Sequence, residues 1–131
     1  KGPVIASHSN ARGACFHLRN LSDEMIRQLA ERGGVTGINF CPSFLREEEP
    51  AAKKASTMDM VRHMKYLRKV GGIDIIGLGT DFDGFSGETD VPDTAHMQHL
   101  ADVMSHEGFT DEEIEKVFSK NVLRVFKECW K

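Results

Sequence analysis

Residues 75–84 read Ile-Ile-Gly-Leu-Gly-Thr-Asp-Phe-Asp-Gly, and this stretch constrains the chain more than any other. The apolar run is too short for a helix, so it reads as a buried strand that stops at Asp81. A carboxylate ending so apolar a segment needs a partner, because burying it alone is costly. In α/β proteins the carboxyl ends of parallel strands are where ligands gather. A second run, Pro3-Val4-Ile5-Ala6, leads into Ser7-His8-Ser9 in the same way.

Between and after these runs the sequence alternates. Residues 3–7 predict a strand and 8–20 a polar loop. Ser22 then predicts an N-cap, with Asp23 and Glu24 in the first turn of a helix whose apolar positions are Met25, Ile26, Leu29 and Ala30. Gly33 suits a left-handed helix stop. Val35 to Phe40 predicts the second strand, ended by Pro42, and 43–55 a charged, solvated loop. Thr57 is expected to cap a helix carrying Met60, Val61, Met64, Leu67 and Val70 on one face, which stops at Gly71-Gly72. Residues 73–80 form the third expected strand, and an irregular stretch to about Asp93 precedes a helix near 95–106. Thr110 and Glu113 have the spacing of a capping box. Ile114, Val117 and Phe118 share a face of the short helix that follows, and Asn121 to Trp130 reads as a last helix.

Strand–helix alternation of this kind implies right-handed crossovers and neighbouring parallel strands, hence an α/β fold. A closed eight-stranded barrel takes about 250 residues, and this chain has 131. The expectation is one unit over 1–131: a partial (β/α)8 TIM-type barrel of about three parallel strands with flanking helices. The chain starts at Lys1 and enters a strand almost at once, as a segment of something longer would. Open sheet edges in such a unit favour self-association or a missing amino-terminal half.

Charge excludes some functions. There are 17 Lys and Arg against 20 Asp and Glu, and no basic cluster of the kind that marks nucleic-acid binding. No apolar run approaches the roughly 20 residues that span a bilayer. Cys15, Cys41 and Cys129 are odd in number and lack a C-x-x-C pair, which favours free thiols. The last three residues do not form a prenylation box.

The residues that carry chemistry are few. His8 stands where a barrel loop begins, and neutral imidazole suits zinc; a lone histidine at a strand end is more often merely structural. Asp81 and Asp83 flank Phe82, so in extended backbone they point the same way and could share a metal or a proton. For Asp83 an Asx-type turn with Gly84 is the simpler expectation. Arg12 and Arg19 lie in the loop after His8, and arginine grips carboxylates in a flat two-pronged contact, although most loop arginines do not. His96 and His99 share a helix face but lack a third ligand, and His17, His63 and His106 read as surface histidines. Gly77 and Gly79 open no phosphate loop, since no helix follows them. One imidazole and one acid at strand ends suggest a metal-dependent hydrolase with too few ligands to complete its centre.

Pro3–Ser9, Arg19-Asn20, Gly33-Gly34-Val35, Ile38-Asn39-Phe40, Gly77–Gly84 and Asn121–Val125 resemble, in register, the carboxy-terminal part of the membrane (renal) dipeptidase family of zinc peptidases. The resemblance implies a (β/α)8 barrel holding two zinc ions and hydrolysing dipeptides. It assigns His8 to the last zinc-binding histidine, Asp81 to the acid beside the metal-bridging water, and Arg19 to the arginine that holds the substrate carboxylate. The family's His-x-Asp pair, bridging glutamate, other zinc histidine and oxyanion histidine would all precede residue 1. Cys41 stands where relatives often carry an aromatic residue. Two other classes compete. A receiver-type signalling module needs an acidic pair after its first strand, and Ser7-His8-Ser9 supplies none. An interaction module descended from the peptidase would keep the fold without the chemistry. Relatives of mammalian type are lipid-anchored outside the cell, whereas many bacterial ones look soluble; the compartment stays open, with a cytoplasmic one expected if the chain is bacterial.

Overall fold

The computed structural model describes residues 2–130; Lys1 and Lys131, on which the reading of the two chain ends touched, lie outside the described residues. Strands β1 (Ile5–Ala6), β2 (Val35–Ile38) and β4 (Ile76–Leu78) form a parallel sheet in the order β1-β2-β4. Ile5 pairs with Val35, and Ile38 with Leu78. This is the expected mixed α/β arrangement of parallel strands with flanking helices. The strands are shorter than the apolar runs. Residues 73–75 start as a 3-10 turn because Gly72, at φ 88°, redirects the chain out of the preceding helix. At the other end, pairing persists beyond the regular strand through Gly79 N–H to Ile38 O (3.1 Å) and Phe40 N–H to Thr80 O (3.2 Å).

Helix α1 (Asp23–Glu31) is capped by Ser22, which accepts from the Met25 N–H, and buries Ile26 and Leu29. Gly33 ends it at φ 66°, and Gly34 N–H bonds back to Leu29 O, leaving a left-handed stop as expected. Pro42 does more than end a strand: it opens α2 (Pro42–Leu45), where its fixed φ suits the first helical position. Helix α3 (Thr57–Gly71) is capped by Ser56, not Thr57. Ser56 and Asp59 close a reciprocal capping box, and Thr57 instead donates its N–H and hydroxyl to Asp90 Oδ1, both at 2.7 Å.

Two stretches read as loops are joined to each other. Short strands β3 (Lys54–Ala55) and β5 (Glu88–Thr89) pair in parallel, with Lys54 and Glu88 in contact at 3.0 Å. Two-residue strands carry no periodicity, so nothing in the sequence distinguished them. Helix α4 (Met97–His106) follows a 3-10 turn, and the Thr110/Glu113 box caps α5 (Asp111–Glu115) as expected. The two carboxy-terminal helices are continuous: a π-turn at Lys116–Lys120 links α5 to α6 (Asn121–Cys129). That extra residue in the turn aims the Asn121 amide at the Ile73 and Ile76 carbonyls, each 2.8 Å away.

The core lies between the sheet and α1, α3 and α4, around Ile26, Ile38, Met60, Met64, Leu67 and Ile76, all fully buried. His63 belongs to it and is wholly buried, which corrects its reading as a surface histidine. The apolar stripe of α3 surrounds it, and it persists there because both ring nitrogens are bonded. Nδ1 takes the Ala11 N–H (3.2 Å), so Nε2 carries the proton and donates it to Leu45 O (2.9 Å). Burial holds this imidazole neutral, its pKa lowered to about 4.

Candidate active site

Three strand ends converge at the carboxyl edge of the sheet. A side chain on Gly79 would run into the Ser7 carbonyl, so only glycine lets the β4 end come this close to β1. Ser7-His8 thus sits beside the end of β4, with Asn39 emerging between them from β2.

The His8 backbone and the Asp81 side chain share one partner, Asn39. The Asn39 Nδ2 donates to Asp81 Oδ2 (3.3 Å) and, at longer reach, to the His8 carbonyl (3.5 Å). Asp81 is half-buried and adopts φ 60°, at the head of a turn closed by Gly84 N–H to Asp81 O at 2.9 Å. The extended geometry expected for Asp81 and Asp83 is therefore absent: both residues have positive φ, Asp83 at 69°. Asparagine and aspartate tolerate that region better than most residues, which explains how an Asp-Phe-Asp turn can occupy it. Asp83 is exposed, whereas Asp81 is the part-buried carboxylate of the pair.

The His8 ring is fixed on both sides. Nδ1 lies 2.6 Å from Ser7 Oγ, and Nε2 lies 3.4 Å from Nη2 of Arg19. A guanidinium can only donate, so Nε2 is the acceptor and Nδ1 carries the proton toward Ser7. This tautomer puts the lone pair on Nε2, a nitrogen through which neutral imidazole binds cations, and here Arg19 occupies it. Arg19 is exposed, and its guanidinium also lies over the Phe44 ring at 5.6 Å. Its backbone N–H donates to His17 Nδ1 (3.1 Å).

The loop bearing Arg19 is held by buried amides. Asn10 exchanges bonds with the Asn39 backbone, donating from Nδ2 to its carbonyl (2.9 Å) and accepting its N–H on Oδ1 (2.7 Å). Asn20 donates to Cys15 O and Phe44 O, both 2.9 Å. Arg12, the other arginine considered for substrate, instead closes this loop through Asn20 O and Leu18 O, each 3.1 Å. Asn10 and Asn39 were not singled out from sequence as site residues. Asn39, at the end of an apolar run, carried a signal, since a buried amide must find partners; its pairing with Asn10 did not.

His96 and His99 are exposed and face Asp93 and Asp90. Among the described residues no three His, Cys, Asp or Glu side chains converge to hold a metal. A catalytic zinc takes three protein ligands. One imidazole and one carboxylate do not make that set, so the chain by itself does not fit a zinc centre.

The geometry has counterparts. A protein of Klebsiella pneumoniae, described as an uncharacterized protein in the pqqA 5'region, is 35% identical over 98% of this chain and 47% of its own length. An uncharacterized dipeptidase of Schizosaccharomyces pombe is 36% identical, over 98% of this chain and 31% of its own. The crystal structure of a Rhodobacter sphaeroides metallopeptidase liganded with a phosphinate mimic of the dipeptide L-Ala-D-Ala superposes with a TM-score of 0.91 at 29% identity, over 99% of this chain and 37% of that one. The chain thus spans between about a third and a half of the length of these relatives. The sequence pattern of membrane dipeptidases matches residues 1–130, and the chain belongs to that family, peptidase family M19.

Proposed function

We propose that this chain forms the closing part of a (β/α)8 barrel whose complete form hydrolyses dipeptides with the help of two zinc ions. The observation that supports the reading is the side-by-side placement of the His8 and Asp81 segments at the carboxyl edge of a parallel sheet, where Asn39 bonds the Asp81 carboxylate and the His8 carbonyl, and Arg19 bonds the His8 ring. Barrel enzymes place their chemistry at that edge. When bound, the ions supply a water acidic enough to lose its proton near neutral pH; ligands from outside this chain complete their shell.

In this reading His8 offers Nε2 as the ligand atom once Arg19, which donates to that nitrogen in the chain alone, swings away. Asp81 accepts a proton on its carboxylate and returns it to the leaving amine, acting first as base and then as acid. Arg19, exposed and stacked over Phe44, swings to the free carboxylate of a dipeptide and fixes it by two parallel bonds. A dipeptide such as L-Ala-D-Ala fits this demand, because its terminal carboxylate lies one residue from the scissile bond.

The isolated chain is expected to release no amino acid from L-Ala-D-Ala in zinc-containing buffer. A longer form, carrying upstream a His-x-Asp pair and a glutamate, should do so, and Asp81→Asn should lower its kcat at least about 100-fold. Hydrolysis that survives Asp81→Asn unchanged contradicts the assignment, and efficient cleavage by the 131-residue chain alone contradicts the incomplete site.

A further inference from the structure

We infer that Asn39 is a positioning residue for the acid: its carboxamide holds the Asp81 carboxylate in one orientation and ties that orientation to the strand end bearing His8. The inference rests on the reading of Asp81 as the proton carrier.

Asn39 is fully buried, and every polar atom it owns is engaged. Its Oδ1 accepts the Cys41 N–H at 2.8 Å. That bond decides which end of the amide is which. Rotating the amide by half a turn would face Nδ2 toward a donor and press Oδ1 against two acceptors, the Asp81 carboxylate and the His8 carbonyl. The orientation seen is the one in which donors meet acceptors throughout. The backbone of Asn39 is locked as well, by the reciprocal bonds with Asn10. Thr36, on the same strand, donates its hydroxyl to Ser9 O at 2.6 Å and fixes the segment just after His8.

The carboxylate needs such a guide. Asp81 stands at a strained φ of 60° in a turn, and its side chain lies over Gly84, where any Cβ would collide with Oδ1. Glycine at 84 removes an obstacle but supplies no directing bond. The Asn39 amide supplies it on Oδ2. A buried amide locked on three sides is stiffer than the exposed turn it directs.

Two measurements test this. In the 131-residue chain, the side-chain amide protons of Asn39 are followed by NMR from neutral pH through the carboxylate range. They should shift with a single midpoint that disappears in Asp81→Asn; an amide signal that ignores pH in the folded chain overturns the inference without touching the assignment of Asp81 as acid. In the complete peptidase, Asn39→Asp keeps shape and the acceptor for Cys41 but removes the donor. Its kcat should fall about 10- to 100-fold with KM little changed, as for other groups that orient a reacting residue. An unchanged kcat, or a KM that rises as much as kcat falls, overturns the inference, whereas full activity in Asp81→Asn would instead remove the proposed function.

Discussion

The two edges of the sheet use polar side chains in opposite ways. At the amino edge they satisfy backbone carbonyls. Asn121 reaches Ile73 O and Ile76 O, and Arg124 reaches Gly33 O (2.7 Å) and Asp74 O (2.9 Å), tying α6 to the starts of β2 and β4. At the carboxyl edge the outermost side chains bond mainly to one another: Ser7 to His8, His8 to Arg19, Asn39 to Asp81. Bonds of the first kind stabilise, because losing them strands buried acceptors. Bonds of the second kind leave lone pairs and donors facing outward, at little gain in stability. One edge ties a helix to the sheet, and the other carries, above its own buried amides, the residues to which the proposed chemistry is assigned.

That contrast can be broken most forcefully at Asn121. Asn121→Leu strands two carbonyls and should lower the unfolding free energy by about 2–4 kcal/mol, read from urea denaturation. A loss similar to that of a surface change would dissolve the distinction between the edges.

His63 comes next, as the buried link between α3 and the loop that carries Arg19. Its folded pKa, about 4, lies below the ordinary 6.5. The unfolded chain therefore protonates first as the pH falls. Stability is fully present above about pH 6.5 and declines toward about pH 4, by roughly 3 kcal/mol if the whole shift is expressed. His63→Leu should flatten the decline between those pH values while costing about 1–3 kcal/mol at neutral pH through the unpaired Ala11 N–H. Stability curves of the two proteins that stay parallel with pH would show that this histidine is not the group responsible.

The smallest effects are expected at the chemical edge. Arg19→Met and Asp81→Asn should each change stability by no more than about 0.5 kcal/mol, since both groups are at least partly exposed and Asn tolerates a positive φ. A large loss for either would mean that the carboxyl edge carries structural load too.

Much of this was legible in the residues. The apolar runs marked the three parallel strands, and Ser22, Gly33 and the Thr110/Glu113 pair marked helix ends, because each acts through local chemistry. His8 and Asp81 were singled out by their place after apolar runs and Arg19 by the family resemblance, and their roles stand as proposals. What escaped depended on distant partners. Ser56 won the cap from Thr57 because Asp90, 33 residues on, takes the Thr57 N–H and hydroxyl. His63 looked polar on a helix, and only tertiary packing with Ala11 and Leu45 buried it. The Asn10–Asn39 exchange spans 29 residues and has no local signature. The extended Asp-Phe-Asp geometry failed because the chain reverses at Asp81 instead of running on.

Zinc titration of the chain, followed by the ring resonances of all six histidines, addresses the whole picture at once. The His8 signals should move first, together with the Asn39 side-chain amide, and should saturate only weakly, since a single imidazole and a single acid cannot enclose an ion. Tight binding of two ions, or shifts confined to His96 and His99 with His8 unmoved, would contradict it.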